Sequence, residues 1–273
     1  MLPAFKVCGP TGAHTHTVIF LHGRDSGCAE FADEFFESET SAGPDQKPQT
    51  LRELFPTVKW VFPGAPVTRS ARFDSGMSQW FDMWSVEDPE ECPEIQRGGL
   101  RQSIDQILSV VREEEAAGVP RDRIFLGGIS QGFATAMAAL FAEGQGGFAG
   151  MVGLCSWMPF ATPAEESLKG DDDASSASSF THLQRIFTTT TANKPPPVTA
   201  NVKALRQTPI LITHSLDDEV VPVQNGRRLR DILQRQGFVV EWKEYPDGGH
   251  WVNEPQGVDD MAHFLRKHMN MLD

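Results

Sequence analysis

No stretch of the 273-residue chain is apolar over the length that a membrane span requires. The segment Met1-Leu2-Pro3-Ala4-Phe5-Lys6 has no long apolar run behind its basic residue, so no secretory signal is expected. No Asn-x-Ser/Thr acceptor for N-glycosylation occurs. The four cysteines, Cys8, Cys28, Cys92 and Cys155, are widely and irregularly spaced, with no Cys-x-x-Cys among them. That argues against a zinc or redox motif and fits reduced thiols in a cytoplasmic protein. Basic residues are too few to balance the acids: 24 Lys and Arg against 37 Asp and Glu, a net charge of −13. Such a surface argues against nucleic acid as a partner and against docking on anionic lipid. There is no internal repeat. The sequence calls for no metal and no cofactor.

What remains is an ordinary globular composition, 40% hydrophobic and 22% charged. Strand-like and helix-like runs alternate. Thr17-Val18-Ile19-Phe20-Leu21 reads as a buried strand ending at His22-Gly23. Val58-Lys59-Trp60-Val61-Phe62 is a second, stopped by Pro63-Gly64. From Leu100 to Gly118, Ile104, Ile107, Leu108 and Val111 share one helical face. Further strands are predicted at Arg123 to Ile129, Gly150 to Cys155, Pro209 to Thr213 and Val239 to Tyr245. Helices are predicted from Asn225 to Gly237 and from Gln256 to Met271. The alternation predicts an α/β fold with a mostly parallel, doubly wound sheet flanked by helices. It fits a single domain over residues 1–273, with function at the carboxyl ends of the strands.

Residues 162–200 break the alternation. They hold Gly170-Asp171-Asp172-Asp173, a serine-rich run, Thr188-Thr189-Thr190-Thr191 and Pro195-Pro196-Pro197. This low-complexity insertion reads as a surface loop adding little to the core. Phe180, Leu183, Ile186 and Phe187 inside it fit one face of a short helix, which leaves open a flap over the site.

The richest signal is Gly128-Ile129-Ser130-Gln131-Gly132. An apolar strand runs into it, and the helix-forming run from Phe133 to Phe141 follows at once. Gly-x-Ser-x-Gly is weakly specific by itself. Between strand and helix it has the context of a nucleophile elbow, with Ser130 exposed at the sheet edge beside a helix N-terminus. A serine hydroxyl needs a histidine base oriented by a carboxylate. The fifth strand leads into His214-Ser215-Leu216-Asp217-Asp218-Glu219-Val220-Val221-Pro222, where Asp218 is the expected acid and Asp217 the alternative. The sixth leads into Asp247-Gly248-Gly249-His250, and His250 alone among the histidines has the required order and loop position. His22 and His214 end strands near the site and read as packing or loop groups. Two backbone donors are expected for an oxyanion: the N–H of Gln131 and that of Arg24, in the loop after the first strand. Met77 to Trp84 suits an apolar acyl channel through Trp80 and Phe81, although both equally fit the core. Trp157 and Met158 carry the same two readings.

Together these segments resemble the acyl-protein thioesterase/carboxylesterase (phospholipase–carboxylesterase) family of α/β hydrolases. The matching stretches are Val18 to Gly23, Pro63-Gly64-Ala65-Pro66, Trp80-Phe81-Asp82, Gly118 to Gly132, Leu154-Cys155-Ser156-Trp157-Met158-Pro159, and the Asp218 and His250 loops, in family order. The resemblance implies an α/β-hydrolase fold and a Ser130–His250–Asp218 triad. It implies Arg24 and Gln131 as oxyanion donors and cofactor-free hydrolysis of acyl thioesters or carboxyl esters, S-acylated protein among the candidate substrates. A small-molecule carboxylesterase or lysophospholipase is the alternative, and a non-catalytic hydrolase-fold receptor the alternative of another class. Three features depart from the family pattern. The first loop is one residue shorter, with Arg24 where leucine is usual. Phe133 replaces a usual glycine. The 162–200 insertion is long.

Overall fold

The computed structural model describes residues 4–43, 47–168, 177–188 and 200–271. Its centre is a seven-stranded sheet of β1 (Phe5–Cys8), β2 (His16–Leu21), β3 (Val58–Pro63), β6 (Ile124–Ile129), β7 (Gly150–Leu154), β8 (Ile210–Ser215) and β9 (Val240–Tyr245), in the order β1-β3-β2-β6-β7-β8-β9. Only the β1–β3 pairing is antiparallel. The remaining two strands, β4 (Val67–Ser70) and β5 (Ser75–Ser78), form a separate antiparallel hairpin.

Helices cover both faces, so the central strands are buried on both sides and read as continuous apolar runs. Along β6 the faces alternate. Ile124 and Leu126 join the core with α3 (Gln96–Ala116) and α4 (Gln131–Glu143). Phe125 and Ile129 join the opposite core with α1 (Cys28–Phe35) and α9 (Gln256–His268). Short helices α2 (Leu51–Leu54), α5 (Ala161–Glu166) and α7 (Val202–Gln207), with the longer α8 (Val223–Arg235), complete the layers. The predicted sheet is thus present. The antiparallel edge strand and the hairpin have no counterpart in the sequence reading, because both are short and mostly face solvent.

The insertion departs from expectation. Its Asp-rich and Pro-rich runs lie outside the described residues, as do the first part of the Ser-rich run and most of the Thr-rich run. Between them α6 (Ala177–Thr188) is neither a surface loop nor a flap. Phe180, Leu183 and Phe187 are buried in the main core, with Ile186 packed against it. The ring of Phe141 on α4 stacks on Phe187 at 5.7 Å and meets Phe180 at 6.1 Å. Gln184 Nε2 donates to the Ala142 carbonyl at 3.0 Å, satisfying an acceptor in the last turn of α4. The reason lies in α4, which is buried from Gln131 to Phe141 and therefore needs cover away from the sheet as well.

Phe133, the residue in place of the family's usual glycine, also has a partner. A Cβ at Gly153 on β7 would stand 2.3 Å from its ring, so the aromatic fills the space that this glycine leaves. Two stability outcomes follow. In urea titrations Leu183→Ala is expected to cost about 2–5 kcal/mol, the range for a truncated core leucine, whereas a surface helix would lose well under 1 kcal/mol. Gly153→Ala overpacks the Phe133 ring and is expected to cost about 1–3 kcal/mol by the same measurement.

Candidate active site

Strands β2, β6, β7, β8 and β9 all end at one edge of the sheet, and the candidate residues follow those ends. Ser130 sits between β6 and α4 with φ 55° and ψ −126°, a backbone conformation strained for any residue with a side chain. Its N–H donates to the Leu154 carbonyl at 2.8 Å, and its carbonyl accepts from Ser156 Oγ at 2.7 Å and Ala134 N–H at 3.1 Å. The neighbouring glycines have a steric reason. A Cβ on Gly128 would come within 2.6 Å of the Leu21 carbonyl oxygen, and one on Gly132 within 2.4 Å of the same atom. Gln131 N–H lies in the first turn of α4, where helix amides lack intrahelical acceptors. The Gln131 side chain is fully buried and accepts from Trp80 N–H at 2.9 Å while donating to the Phe81 carbonyl at 2.8 Å.

Ser130 and His250 line one cleft of about 380 Å³, together with Gly23, Arg24, Phe31, Phe73, Met77, Val220 and Trp251. His250 Nδ1 donates to Asp218 Oδ2 at 2.8 Å. Asp218 is buried, and its other oxygen accepts the N–H groups of Val220 and Val221, each at 2.9 Å. His214 Nε2 approaches Oδ2 at 3.2 Å and the Val221 carbonyl at 2.8 Å. Both neighbours are acceptors, so Nε2 carries the proton. Burial alone would raise the Asp218 pKa. The hydrogen bonds from His214 and His250, the His250 charge and the Val221 amide override it and hold the carboxyl far below the usual carboxylate range.

Asp217, the alternative acid, is exposed, and its Oδ1 accepts the Gly249 N–H at 2.9 Å. It anchors the loop that carries His250. The sequence reading missed the contact of His214 with Asp218. Its signal was the position, at the end of β8 and four residues ahead of the acid. Beneath the loop, burial and the nearby Asp218 carboxylate push the Cys155 thiol well above its ordinary pKa. Cys155, His214 and Asp218 bring ligand-type atoms within 4.8 Å of one another. A protonated thiol and a carboxylate already hydrogen-bonded at both oxygens make this a poor metal site.

Trp80, Phe81, Trp157 and Met158 do not border this cleft. All four are buried in the main core. Trp80 Nε1 donates to the His22 carbonyl at 2.9 Å, and the backbone of Trp80 and Phe81 is clamped by Gln131. The core reading of these aromatics is the one observed. The apolar cleft walls are instead Phe31 and Trp251, whose rings meet edge-on at 5.7 Å, with Phe73 and Met77 of the hairpin segment and Val220.

The phospholipase/carboxylesterase family profile matches residues 2–172, and the prolyl oligopeptidase family profile matches residues 100–272. Two relatives matched over nearly their whole length bear the name acyl-protein thioesterase 1. Acyl-protein thioesterase 1 of Yarrowia lipolytica is 30% identical, over 94% of this chain and 93% of its own. The Gibberella zeae acyl-protein thioesterase 1 is 28% identical over 94% and 92%. The crystal structure of Zea mays acyl-protein thioesterase 2 superimposes with a TM-score of 0.67 at 22% identity, covering 97% of this chain and 99% of that one, which supports the fold. The chain is therefore an α/β hydrolase. It belongs to the phospholipase/carboxylesterase family and is a hydrolase of esters or thioesters. No helix among the described residues is long and apolar enough to cross a membrane.

The Asp218 carboxylate has a depressed folded-state pKa, so its stabilising contribution is present above the unfolded value near 3.8 and is lost as pH falls through the folded value. Urea midpoints measured from pH 6 downward are expected to fall below about pH 4 in the wild type, and to fall less in Asp218→Asn, which has no proton to take up there.

Proposed function

We propose that the protein is a serine hydrolase acting on acyl thioesters and carboxyl esters, with Ser130 as nucleophile, His250 as base and Asp218 as its orienting acid. The observation that carries this reading is the shared cleft. A serine on a strained strand-to-helix turn faces it beside a histidine whose Nδ1 bonds a buried carboxylate. In the reaction His250 Nε2 takes the Ser130 proton as Oγ attacks the acyl carbon. Asp218 holds the tautomer that leaves Nε2 free to do so and stabilises the imidazolium that forms. The oxyanion is received by the N–H groups of Gln131 and Arg24, with the N-terminus of α4 adding positive potential. His250 then protonates the departing thiol or alcohol. Water, deprotonated by His250, releases the acid from the acyl-enzyme.

Acyl-protein thioester hydrolysis is the substrate reading the relatives' names support. Small-molecule ester hydrolysis is the second, favoured by the cleft volume of about 380 Å³, near the small end of ligand sites. Four free thiols suit the cytoplasm as the compartment. Initial rates on p-nitrophenyl esters of increasing chain length, beside an S-palmitoyl peptide, separate the two substrate readings.

Ser130→Ala is expected to abolish hydrolysis and fluorophosphonate labelling while leaving the fold intact; full labelling of that variant would reject the nucleophile. Asp218→Asn is expected to lower kcat by about 10⁴-fold, the cost of the wrong histidine tautomer. Asp217→Asn, which loosens only the Gly249 tie, is expected to cost far less. The reverse order would make Asp217 the acid.

A further inference from the structure

Arg24 stands where the resembling family has leucine, and its side chain has a specific destination. The guanidinium is almost fully covered, with 10% of the side chain exposed. Nε donates to Gln79 Oε1 at 3.0 Å and Nη2 to Ser70 Oγ at 3.0 Å, with Asp82 Oδ1 3.8 Å away. The guanidinium also lies over the Phe73 ring, 5.6 Å from its centroid. Ser70, Phe73 and Gln79 belong to, or close, the β4–β5 hairpin. Gln79 locks its base, donating to Thr68 Oγ1 at 3.0 Å. The next residue of the loop, Asp25, donates its N–H to the Ser78 carbonyl at 2.7 Å.

A hairpin of two four-residue strands outside the main sheet is marginal alone. Its position therefore depends on its ties, these together with Ala71 N–H to Asp82 Oδ2 at 3.0 Å and Arg72 Nη1 to the Trp84 carbonyl at 2.9 Å. Its segment supplies Phe73 and Met77 to the cleft wall, while the backbone of Arg24 supplies one of the oxyanion donors assigned above. One residue thus joins the wall that meets the acyl group to the amide that meets the oxyanion.

We propose that Arg24 is a specificity-determining residue: its guanidinium couples the hairpin wall to the oxyanion loop, so that an acyl group that pushes the hairpin aside also displaces the Arg24 N–H. Selection among acyl groups then shows in kcat more than in KM. A bulky chain binds, but reacts on a misplaced donor. This rests on the serine-hydrolase reading.

The test compares wild type, Arg24→Leu and Ser70→Ala on p-nitrophenyl acetate, butyrate, octanoate and palmitate, with hydrogen exchange of the amides in residues 67–78. The wild type is expected to lose kcat along the series at nearly constant KM. Arg24→Leu is expected to exchange the hairpin amides about tenfold faster, as loss of hydrogen bonds from a charged donor implies. It is also expected to flatten the kcat profile and move the discrimination into KM. Ser70→Ala leaves the oxyanion loop untouched and is expected to shift both readouts the same way by less; it decides the matter if Arg24→Leu does not fold. Wild-type exchange and a wild-type kcat slope in the folded variants overturn the coupling. Ser130→Ala separates the failures: activity in that variant rejects the serine mechanism itself, whereas a dead Ser130→Ala beside an Arg24→Leu with wild-type selectivity rejects only the role of Arg24.

Discussion

At the start of α4 there is no room for a side chain between helix and strand. A Cβ on Gly132 would meet the Leu21 carbonyl at 2.4 Å and that of His22 at 2.6 Å; one on Gly128 would meet Leu21 again. This close approach holds Ser130 in its positive-φ turn between β6 and α4. The parallel β2–β6 ladder sets the spacing of those strands, and so the approach of the loop after β2 to the serine. A Cβ on Gly23 would lie 3.6 Å from that of Ser130, ordinary contact. The strain is held by bonds on every side: Leu154 and Ser156 from β7 and its loop, and Gln131 to the backbone of Trp80 and Phe81. The aromatics at 80 and 81 thus serve the site through their backbone while their rings fill the core.

The acid side is built on a different principle. Asp218 is buried, yet stays ionised because both oxygens are hydrogen-bonded: one by two loop amides, the other shared by His250 and His214. Removing any one of these partners from so buried a group leaves desolvated charge uncompensated. The loop geometry is therefore part of the electrostatics. Gly226 on α8 has a place in it too, since a Cβ there would stand 2.4 Å from His214 Nδ1.

Much of this was legible in the sequence, and the parts that were share a cause. Buried parallel strands are continuous apolar runs, and the loops after them are punctuated by glycine, histidine and aspartate. Ser130, the Asp217–Asp218 pair and His250 could thus be located from spacing. The choice within the acid pair rests on which carboxylate faces inward, which only the folded loop displays. The β4–β5 hairpin was invisible because Val67-Thr68-Arg69 faces solvent, with only Ser70 buried, and the strand carries no alternation of burial. The α6 segment was misread for the opposite reason. Its polar low-complexity flanks dominate the composition, while the four apolar residues that bind it to α4 occupy one face only. A helix apolar all round implies a covering partner, so the clue to α6 lay in α4 rather than in the insertion.

The site therefore has two halves with different mechanical support. Ser130, Asp218 and His250 stand on turns and loops that follow strands hydrogen-bonded to neighbours along most of their length. The facing wall rests on a small hairpin tied down by side chains. A side chain at Gly128 or Gly132 in the sheet half meets backbone at under 3 Å and is costly whatever the substrate. In the hairpin half it meets a few polar ties, each worth on the order of 1–3 kcal/mol when a charge is involved. Acyl selectivity can then change while the elbow stays fixed. The Arg24 contacts cross that division, and a residue that crosses it ties the geometry of the chemistry to the shape of the acyl group.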